Sequence, residues 1–232
     1  MKKHFHRWWE TCFSFFFPHF CPGCSAEMMP YEKPCCLHCQ ASLPYTHFET
    51  LHNNPVYEKL IQWIPIEQGT AMFYFEDNSP LQNMIHQLKF MGQEQLGHWL
   101  GILAAERLRN TTYQNCTAIV PLPLHPRRQR QRGYNQVHLL CQTLASQLNI
   151  PYAPNCIRRV KNTQQLSLNK TPDRFEEMHQ AFRRTKQSPF KKPHWLLVDD
   201  IITTGATLQS CGKSMLLAPK SKLSILAIGC RK

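Results

Sequence analysis

The sequence has no acidic residue between positions 107 and 172, a stretch that carries ten lysines and arginines. Over the whole chain of 232 residues, 27 basic side chains outnumber 15 acidic ones, and the formal net charge is +12. A basic region without compensating carboxylates predicts a polyanionic partner, which could be a nucleic acid, a membrane surface or a phosphorylated ligand. Charge by itself does not choose among the three.

Long apolar runs are also missing. No segment approaches the roughly 20 apolar residues of a membrane span, so the sequence predicts no transmembrane helix. The first 20 residues mix basic and aromatic side chains, but Glu10 and Pro18 interrupt the apolar stretch and disfavour a secretory signal. We predict a helix there that packs its aromatic side chains on the rest of the protein. An interfacial membrane helix is the alternative, disfavoured because its polar face is not continuous.

Cysteine, by contrast, is abundant: the chain has eleven, five of them between positions 21 and 39. With no secretory signal expected, we predict a reduced, cytoplasmic protein in which clustered cysteines bind metal rather than each other. The knuckles "CPGC" and "CLHC", eleven residues apart, predict a structural zinc site with four thiolates: Cys21, Cys24, Cys36 and Cys39. Cys35 could replace Cys36 on geometric grounds, but only Cys36 gives the second two-residue gap. Buried or disulfide-linked cysteines are the alternative.

The rest of the chain alternates short apolar strands with amphipathic helices. The predicted strands are "AMFYFE", "TAIVPLPL", "IPYAP", "HWLLV" and "KLSILAIGC". Helices are predicted at positions 81–91, 93–109, 135–148 and 207–217. This order favours an α/β fold with a parallel sheet covered on both faces. We place a boundary after residue 47, which separates an N-terminal aromatic and zinc-knuckle module (1–47) from the main domain (48–232).

The segment "WLLVDDIITTGATLQS" carries the clearest chemistry. An apolar strand runs into Asp199 and Asp200, followed by a Thr/Gly loop and a helix. In open α/β sheets, ligands bind beyond the carboxyl ends of the strands, and a loop at a helix N-terminus offers its N–H groups to a phosphate. Two carboxylates beside such a loop suit the vicinal hydroxyls of a ribose 5-phosphate.

These residues resemble the ribose-phosphate signature of type I phosphoribosyltransferases, which "LLVDDIITTGATL" matches across its length. The cysteine knuckles, "FYFED", "IHQLKFMG", "VPLPLHPRRQRQRGYNQ" and "TQQLSL" follow in the order typical of the ComF competence-protein family. The resemblance covers positions 21 to 229, nearly the whole chain. It implies a type I phosphoribosyltransferase-like open parallel sheet flanked by helices, with a small N-terminal zinc-knuckle module.

The resemblance also implies roles for individual residues. Asp199 and Asp200 would be the catalytic pair that meets the ribose hydroxyls, and the loop after them would bind the 5-phosphate through Thr203, Thr204, Gly205, Ala206 and Thr207. Pyrophosphate or DNA phosphates would be bound by the loop after "VPLP" and by two further basic residues, namely Arg127, Arg128, Arg130, Arg132, Gly133, Lys89 and Arg174. Thr163 and Gln165 share the family's flexible-loop region with Arg174. Glu177 stands where family members usually carry Asn.

Two functions follow from the resemblance, and they are not exclusive. One is the handling of incoming single-stranded DNA in natural competence, in the cytoplasm or at the inner face of the membrane, beside a helicase-like motor and other competence proteins. Tyr134 and Trp63 would then offer rings for base stacking. The alternative is a Mg-dependent phosphoribosyltransferase that uses phosphoribosyl pyrophosphate with an unknown acceptor. We favour DNA handling as the biological role; a merely solvated charged loop is the remaining interpretation of "RRQRQR".

Overall fold

The computed structural model describes residues 19–29, 34–90, 93–160, 181–185 and 190–231. Its strands are β1 (His19–Phe20), β2 (Glu27–Met28), β3 (Gln68–Tyr74), β4 (Ala118–Pro121), β5 (Ile157–Arg159), β6 (Phe182–Arg184), β7 (His194–Ile202) and β8 (Lys222–Cys230). Its α-helices are α1 (Leu37–Ala41), α2 (Pro55–Ile61), α3 (Pro80–Phe90), α4 (Glu94–Leu108), α5 (Pro126–Arg132), α6 (His138–Leu148) and α7 (Ala206–Leu216). The long predicted helices and the last strand agree with these bounds to within a few residues.

Four of the strands form one parallel sheet in the order β3-β8-β7-β4. Because all four run in the same direction, their carboxyl ends meet at one edge, where Pro121 of β4 pairs with Val198 of β7. A single parallel bridge between Ile119 and Tyr152 places the predicted "IPYAP" strand beside β4. The described residues also form two small antiparallel ribbons, β1–β2 and β5–β6.

Apolar residues cover both faces of the sheet. On β7, Leu196 and Val198 are buried in one hydrophobic cluster with α3, α4 and α6, whereas Trp195 and Leu197 are buried in a second cluster with α2 and α7. This alternation follows from the two-residue period of a strand. Burial of each leucine or valine contributes about 1.5–3 kcal/mol to stability, so the sheet is the centre of the fold. The predicted open parallel sheet flanked by helices is confirmed.

Helix α4 packs closely against α6 because a glycine lies at their contact. A methyl group on Gly101 would approach the Thr143 side chain to 2.6 Å and the Leu140 carbonyl oxygen to 2.7 Å. His98 Nδ1 and Thr143 Oγ1 lie 2.9 Å apart at the same interface. The contact fixes α6, and with it the segment that connects the carboxyl end of β4 to α6 through α5.

The four-cysteine segment packs directly on α3. Asn83 donates a hydrogen bond from Nδ2 to the Gly23 carbonyl oxygen at 2.7 Å. A methyl group on Gly23 would lie 2.8 Å from Met84 Cε and 2.9 Å from Cys39 Sγ, so glycine is needed for this approach. Cys39 and its buried neighbours belong to the same hydrophobic cluster as α3 and α4. The domain boundary after residue 47 stays a prediction.

The N-terminal aromatic segment, residues 1–18, lies outside the described residues, and so do Thr163, Gln165, Arg174 and Glu177. The interpretations that concern these positions therefore stay predictions. Among the described helices, none has the length and apolar character to cross a membrane.

Candidate functional site

Asp199 and Asp200 lie near the carboxyl end of β7, which continues to Ile202. Successive residues of a strand point to opposite faces of the sheet, so the two carboxyl groups diverge. Asp200 is buried, whereas Asp199 keeps partial exposure. The structure therefore gives two adjacent acids two different environments.

Three donors hold the Asp200 carboxylate. Its Oδ2 lies 2.9 Å from Lys89 Nζ and accepts a hydrogen bond from Gln136 Nε2 at 2.8 Å. Its Oδ1 accepts a hydrogen bond from the Ile201 N–H at 2.7 Å. A buried charge is tolerated when it is paired and hydrogen-bonded, and this network supplies both conditions. Gln136 in turn accepts a hydrogen bond from Arg132 at 3.0 Å, which links the aspartate to the arginine-rich segment.

The surroundings of Asp199 destabilise the charged form of its carboxyl group. Its Oδ1 accepts a hydrogen bond from the Asp200 N–H at 2.8 Å. Burial raises the pKa of the Asp199 carboxyl group well above its ordinary value, and the negative charge of Asp200 adds to the rise. Solvent screens part of this effect because the side chain is partly exposed. A hydroxyl donor from a sugar would stabilise the carboxylate in this position.

The loop between β7 and α7 places hydroxyls and backbone N–H groups at a helix N-terminus. Gly205 precedes α7 with a φ of 77°, and a methyl group there would lie 2.8 Å from Leu60 Cδ2. Thr203 and Thr204 are exposed, and the Ala206 N–H donates a hydrogen bond to Thr204 Oγ1 at 3.4 Å. The positive end of the α7 dipole faces this loop, so the loop suits an anion. Thr207, in the first turn of α7, is half-buried.

The arginine-rich segment is a helix, so the prediction of a loop was wrong. Pro126 is the first residue of α5, His125 accepts a hydrogen bond from the Arg127 N–H at 3.2 Å, and Gly133 ends the helix with a φ of 78°. Proline at the start and a left-handed glycine at the end are common helix boundaries. Helical spacing divides the arginines into two exposed and two half-buried side chains: Arg127 and Arg130, then Arg128 and Arg132.

The half-buried Arg128 interacts electrostatically with Asp200. Burial lowers the pKa of the Arg128 guanidinium and Arg132 lowers it further, whereas Asp200 raises it. Arg159 of β5 belongs to the same group, because burial and then Arg128 lower its pKa while Asp199 raises it. These arginines and the two carboxyl groups are therefore within electrostatic reach of one another.

Sequence reasoning missed three residues that the structure places at this edge of the sheet. Gln136 lies within the basic segment but received no role, although it bonds to Asp200. Arg159 lies in the acid-free stretch, which is the one signal that could have found it. Lys59 of α2 donates from Nζ to the Thr203 carbonyl oxygen at 3.0 Å, across 144 positions of sequence. No local sequence pattern predicts a contact between residues that are so far apart in the chain.

Tyr134 and Trp63, the two rings predicted for base stacking, differ in exposure. The Tyr134 ring is half-buried and its hydroxyl donates to the Leu88 carbonyl oxygen, so it is anchored beside Lys89. Trp63 follows α2 and is 50% exposed. A methyl group on Gly133 would meet no atom within 4 Å, so the end of α5 is open.

The four predicted metal ligands come together. The sulfur atoms of Cys21, Cys24, Cys36 and Cys39 all lie within 4.8 Å of one another. Backbone N–H groups of Gly23 and Cys36 donate to Cys21 Sγ, both at 3.4 Å. Burial raises the pKa of the Cys21 thiol, but these and a further backbone N–H outweigh it and bring that pKa to about 7. Such donors stabilise a thiolate, which is the form that binds metal.

The spacing of the sulfurs fits a tetrahedral metal. Cys24 Sγ and Cys36 Sγ lie 3.7 Å apart, close to the roughly 3.8 Å edge of a tetrahedron with metal–sulfur bonds of about 2.3 Å. Cys35 is buried beside the cluster but is not one of its four members. Burial and the charges of the neighbouring cysteines raise its pKa to about 12, which keeps it a thiol. The four cysteines can hold a metal such as zinc, and Cys36 rather than Cys35 completes the set.

Comparison with known proteins shows that this chain is similar to bacterial proteins named for competence and for DNA utilization. It is 32% identical to Competence protein F of Haemophilus influenzae over 201 residues, which cover 83% of this chain and 82% of that protein. It is 31% identical to DNA utilization protein YhgH of Escherichia coli over 205 residues, covering 84% and 83% of the two chains. No family model matches the sequence.

Among solved structures, adenine phosphoribosyltransferase from Leishmania tarentolae is similar over 58% of this chain and 70% of its own, with 12% identity and a TM-score of 0.37. The identity to Competence protein F over four fifths of both chains is what decides the family. The order of cysteine knuckles, "IHQLKFMG", arginine-rich segment and "VDDIITTGAT" agrees with it. The chain belongs to the ComF competence-protein family.

Proposed function

We propose that this protein binds and handles single-stranded DNA at the carboxyl edge of its sheet, with a terminal ribose phosphate at the β7–α7 loop. The observation that carries the proposal is the hydrogen-bond chain from Arg132 through Gln136 to Asp200. This chain joins α5 to the end of β7, which precedes the β7–α7 loop, so that α5 and this loop form one surface. The relatives named for competence and DNA utilization support a nucleic acid as partner.

The charge of this surface favours a polyanion. Arg127 and Arg130 are exposed on α5, within the stretch that has no acidic residue. A protein that neutralises phosphates releases their counterions, so its affinity falls as salt rises. For a single strand, the slope of log affinity against log salt is about −0.7 per phosphate contact. Trp63 offers an exposed ring on which a base could stack.

A second candidate function is the transfer of phosphoribose from phosphoribosyl pyrophosphate. The observation that favours it is the partly exposed Asp199 carboxyl group, which precedes the loop of residues 203–207. Among the residues that the structure describes, no lysine or arginine lies at ion-pair distance from Asp199, whereas Asp200 pairs with Lys89. Mg²⁺ would accompany the pyrophosphate, bound largely by ligand and water oxygens. Arg128 and Arg132 would stabilise the charge that develops on the departing pyrophosphate.

We further propose that the cysteine cluster holds zinc in a structural role. Four thiolates fill a tetrahedral shell and leave no position for water or substrate. The cluster packs on α3 through Asn83, and α3 also carries Lys89, so metal binding would stabilise one side of the site.

We expect the protein to act in the cytoplasm, with a helicase-like uptake motor and other competence proteins as partners and membrane contact disfavoured.

The experiment is a titration of the protein with a labelled oligothymidylate, followed by fluorescence anisotropy at several salt concentrations. Arg127→Gln combined with Arg130→Gln should weaken binding and flatten the slope of log affinity against log salt by about 1.4, because two phosphate contacts are lost. Lys192→Gln combined with Lys220→Gln is the matched control. Both lysines are exposed and lie two residues before β7 and β8, at the opposite edge of the sheet.

Each result decides a different claim. No binding of the oligothymidylate by the unaltered protein rejects the proposed function, and an unchanged slope in the α5 variant rejects α5 as its surface. Phosphoribosyl pyrophosphate with Mg²⁺ tests the second function: it should raise the melting temperature, and Asp199→Asn should abolish that rise. The absence of a rise at millimolar ligand rejects the transferase.

A further inference from the structure

A second group of arginines lies on the antiparallel pair β5 and β6, which we call the arginine ribbon (Ile157–Arg159 with Phe182–Arg184). Four of its six residues are arginines, namely Arg158, Arg159, Arg183 and Arg184. Backbone hydrogen bonds continue the pairing at both ends, from the Thr185 N–H to the Cys156 carbonyl at 3.0 Å and from the Val160 N–H to the Ala181 carbonyl at 2.7 Å. The ribbon is thus a regular element that can hold side chains in a defined arrangement.

Arg158 and Arg183 lie directly opposite each other on the ribbon, and both are exposed. The flanking hydrogen bonds place them at a hydrogen-bonded position, where the two Cα atoms are about 5.5 Å apart and both side chains leave from the same face. Like charges in this arrangement destabilise a strand pair. Within the described residues, neither arginine has an acidic side chain at ion-pair distance. A bound anion would relieve the repulsion.

The other face of the ribbon leads to the proposed phosphate site. Arg159 lies opposite Phe182, with its guanidinium carbon 5.4 Å from the centre of that ring. Arg159 is also close enough to Arg128 and Asp199 for both to shift the pKa of its guanidinium, after the larger effect of burial. Ser214 of α7 donates a hydrogen bond to the Phe182 carbonyl oxygen at 3.1 Å. The ribbon therefore docks on the helix that begins at the phosphate loop, beside α5.

We propose that Arg158 and Arg183 bind internucleotide phosphates of a DNA strand whose terminal ribose phosphate lies at the β7–α7 loop. The inference rests on the proposed function and deepens it, because it makes the ligand a strand of several nucleotides rather than one nucleotide. A strand can reach the loop, α5 and the ribbon together, since it carries a phosphate on every nucleotide. A small diphosphate has only two phosphate groups, too few for the loop, α5 and the ribbon together.

The experiment removes the two opposed charges with Arg158→Gln and Arg183→Gln. Without DNA, the melting temperature should stay the same or rise, because a repulsion is removed. Affinity for the oligothymidylate should fall, and the salt slope should flatten by about 1.4. A 5′-phosphorylated dinucleotide should bind to the variant as it does to the unaltered protein, because its two phosphates are too few for the loop, α5 and the ribbon together.

A charge reversal separates binding from folding. Arg158→Glu would form an opposite-charge pair with Arg183, so we expect a higher melting temperature together with weaker oligothymidylate binding. Damage to the fold would instead lower the melting temperature together with the affinity for the oligothymidylate. Lys192→Gln with Lys220→Gln removes the same charge from the other edge of the sheet and should leave the salt slope unchanged.

The outcomes divide the two proposals. If the unaltered protein binds the oligothymidylate and the ribbon variant binds it with the same affinity and slope, the ribbon proposal is overturned while the proposed function stands. An equal loss in the lysine control attributes the effect to net charge and also overturns it. If the unaltered protein binds no oligothymidylate, both proposals fall.

Discussion

Lys89 Nζ lies 2.9 Å from Asp200 Oδ2, and this ion pair joins the last turn of α3 to the carboxyl end of β7. Both side chains are mostly buried, at 21% and 11% exposure. Removal of Lys89 leaves the buried Asp200 charge without its ion-pair partner, so we expect Lys89→Met to lower the free energy of unfolding by about 2–3 kcal/mol, less than for a fully isolated pair because other donors remain. Urea denaturation measures the change.

A surface pair supplies the control for that prediction. Lys222 Nζ lies 3.1 Å from Glu67 Oε2, but these side chains are 59% and 44% exposed. Lys222→Met should therefore change the free energy of unfolding by less than about 1 kcal/mol. In a double-mutant cycle, adding Asp200→Asn to Lys89→Met should cost less than Asp200→Asn alone. Strict additivity would show that the pair does not couple.

Asp199→Asn should stabilise the protein at neutral pH. Burial, and then the charge of Asp200, raise the pKa of this carboxyl group in the folded chain, so the folded chain holds the proton more tightly than the unfolded chain. The stability of the unaltered protein therefore falls as pH rises from the unfolded pKa, about 3.9, through the folded pKa. The variant lacks this loss.

Thermal denaturation across pH measures that difference. The gap in melting temperature between Asp199→Asn and the unaltered protein should be small below about pH 4 and should widen above it. A gap that is the same at every pH would contradict the electrostatic explanation. If Asp199→Asn is the more stable protein, Asp199 lowers stability in the unaltered chain, which is consistent with a role in binding.

Gly205→Ala and Gly133→Ala form a matched pair. Both glycines have a left-handed φ, of 77° and 78°, so alanine costs about 1–2 kcal/mol at either position. At Gly205 the added methyl group would also lie 2.8 Å from Leu60 Cδ2, whereas at Gly133 it would meet no atom within 4 Å. We expect Gly205→Ala to lower the free energy of unfolding more than Gly133→Ala does. Equal losses in urea denaturation would mean that Leu60 moves aside freely.

Cys39→Ser and Cys35→Ser test the metal cluster. Cys39 is one of the four converging thiols, so its replacement should release the metal and lower the melting temperature, as loss of a ligand does in other structural sites. Cys35 is equally buried but outside the set, so Cys35→Ser should keep one metal ion per chain. Metal content by elemental analysis gives the answer. Metal lost from Cys35→Ser and kept in Cys39→Ser would reverse the assignment.

Much of the fold could be predicted because its signals are local. The two-residue gaps of the cysteine knuckles, the apolar strand before Asp199 and the spacing of apolar residues in α4 each lie within a short window. The arginine-rich helix was the exception. A run of charged side chains has no apolar period. Its helix is indicated only by the boundary residues Pro126 and Gly133, which an analysis of charge does not take into account.

The sequence by itself determined which chemistry is present: four thiols that can meet at a metal, an acidic strand end with a phosphate-type loop, and arginines without local counter-charges. Only the tertiary structure decided how these groups act on one another. Lys59 reaches Thr203, Gln136 joins Arg132 to Asp200, and Arg158 lies opposite Arg183 because distant segments meet in the sheet and on α7. Such contacts depend on packing and strand register, which no local window of residues encodes.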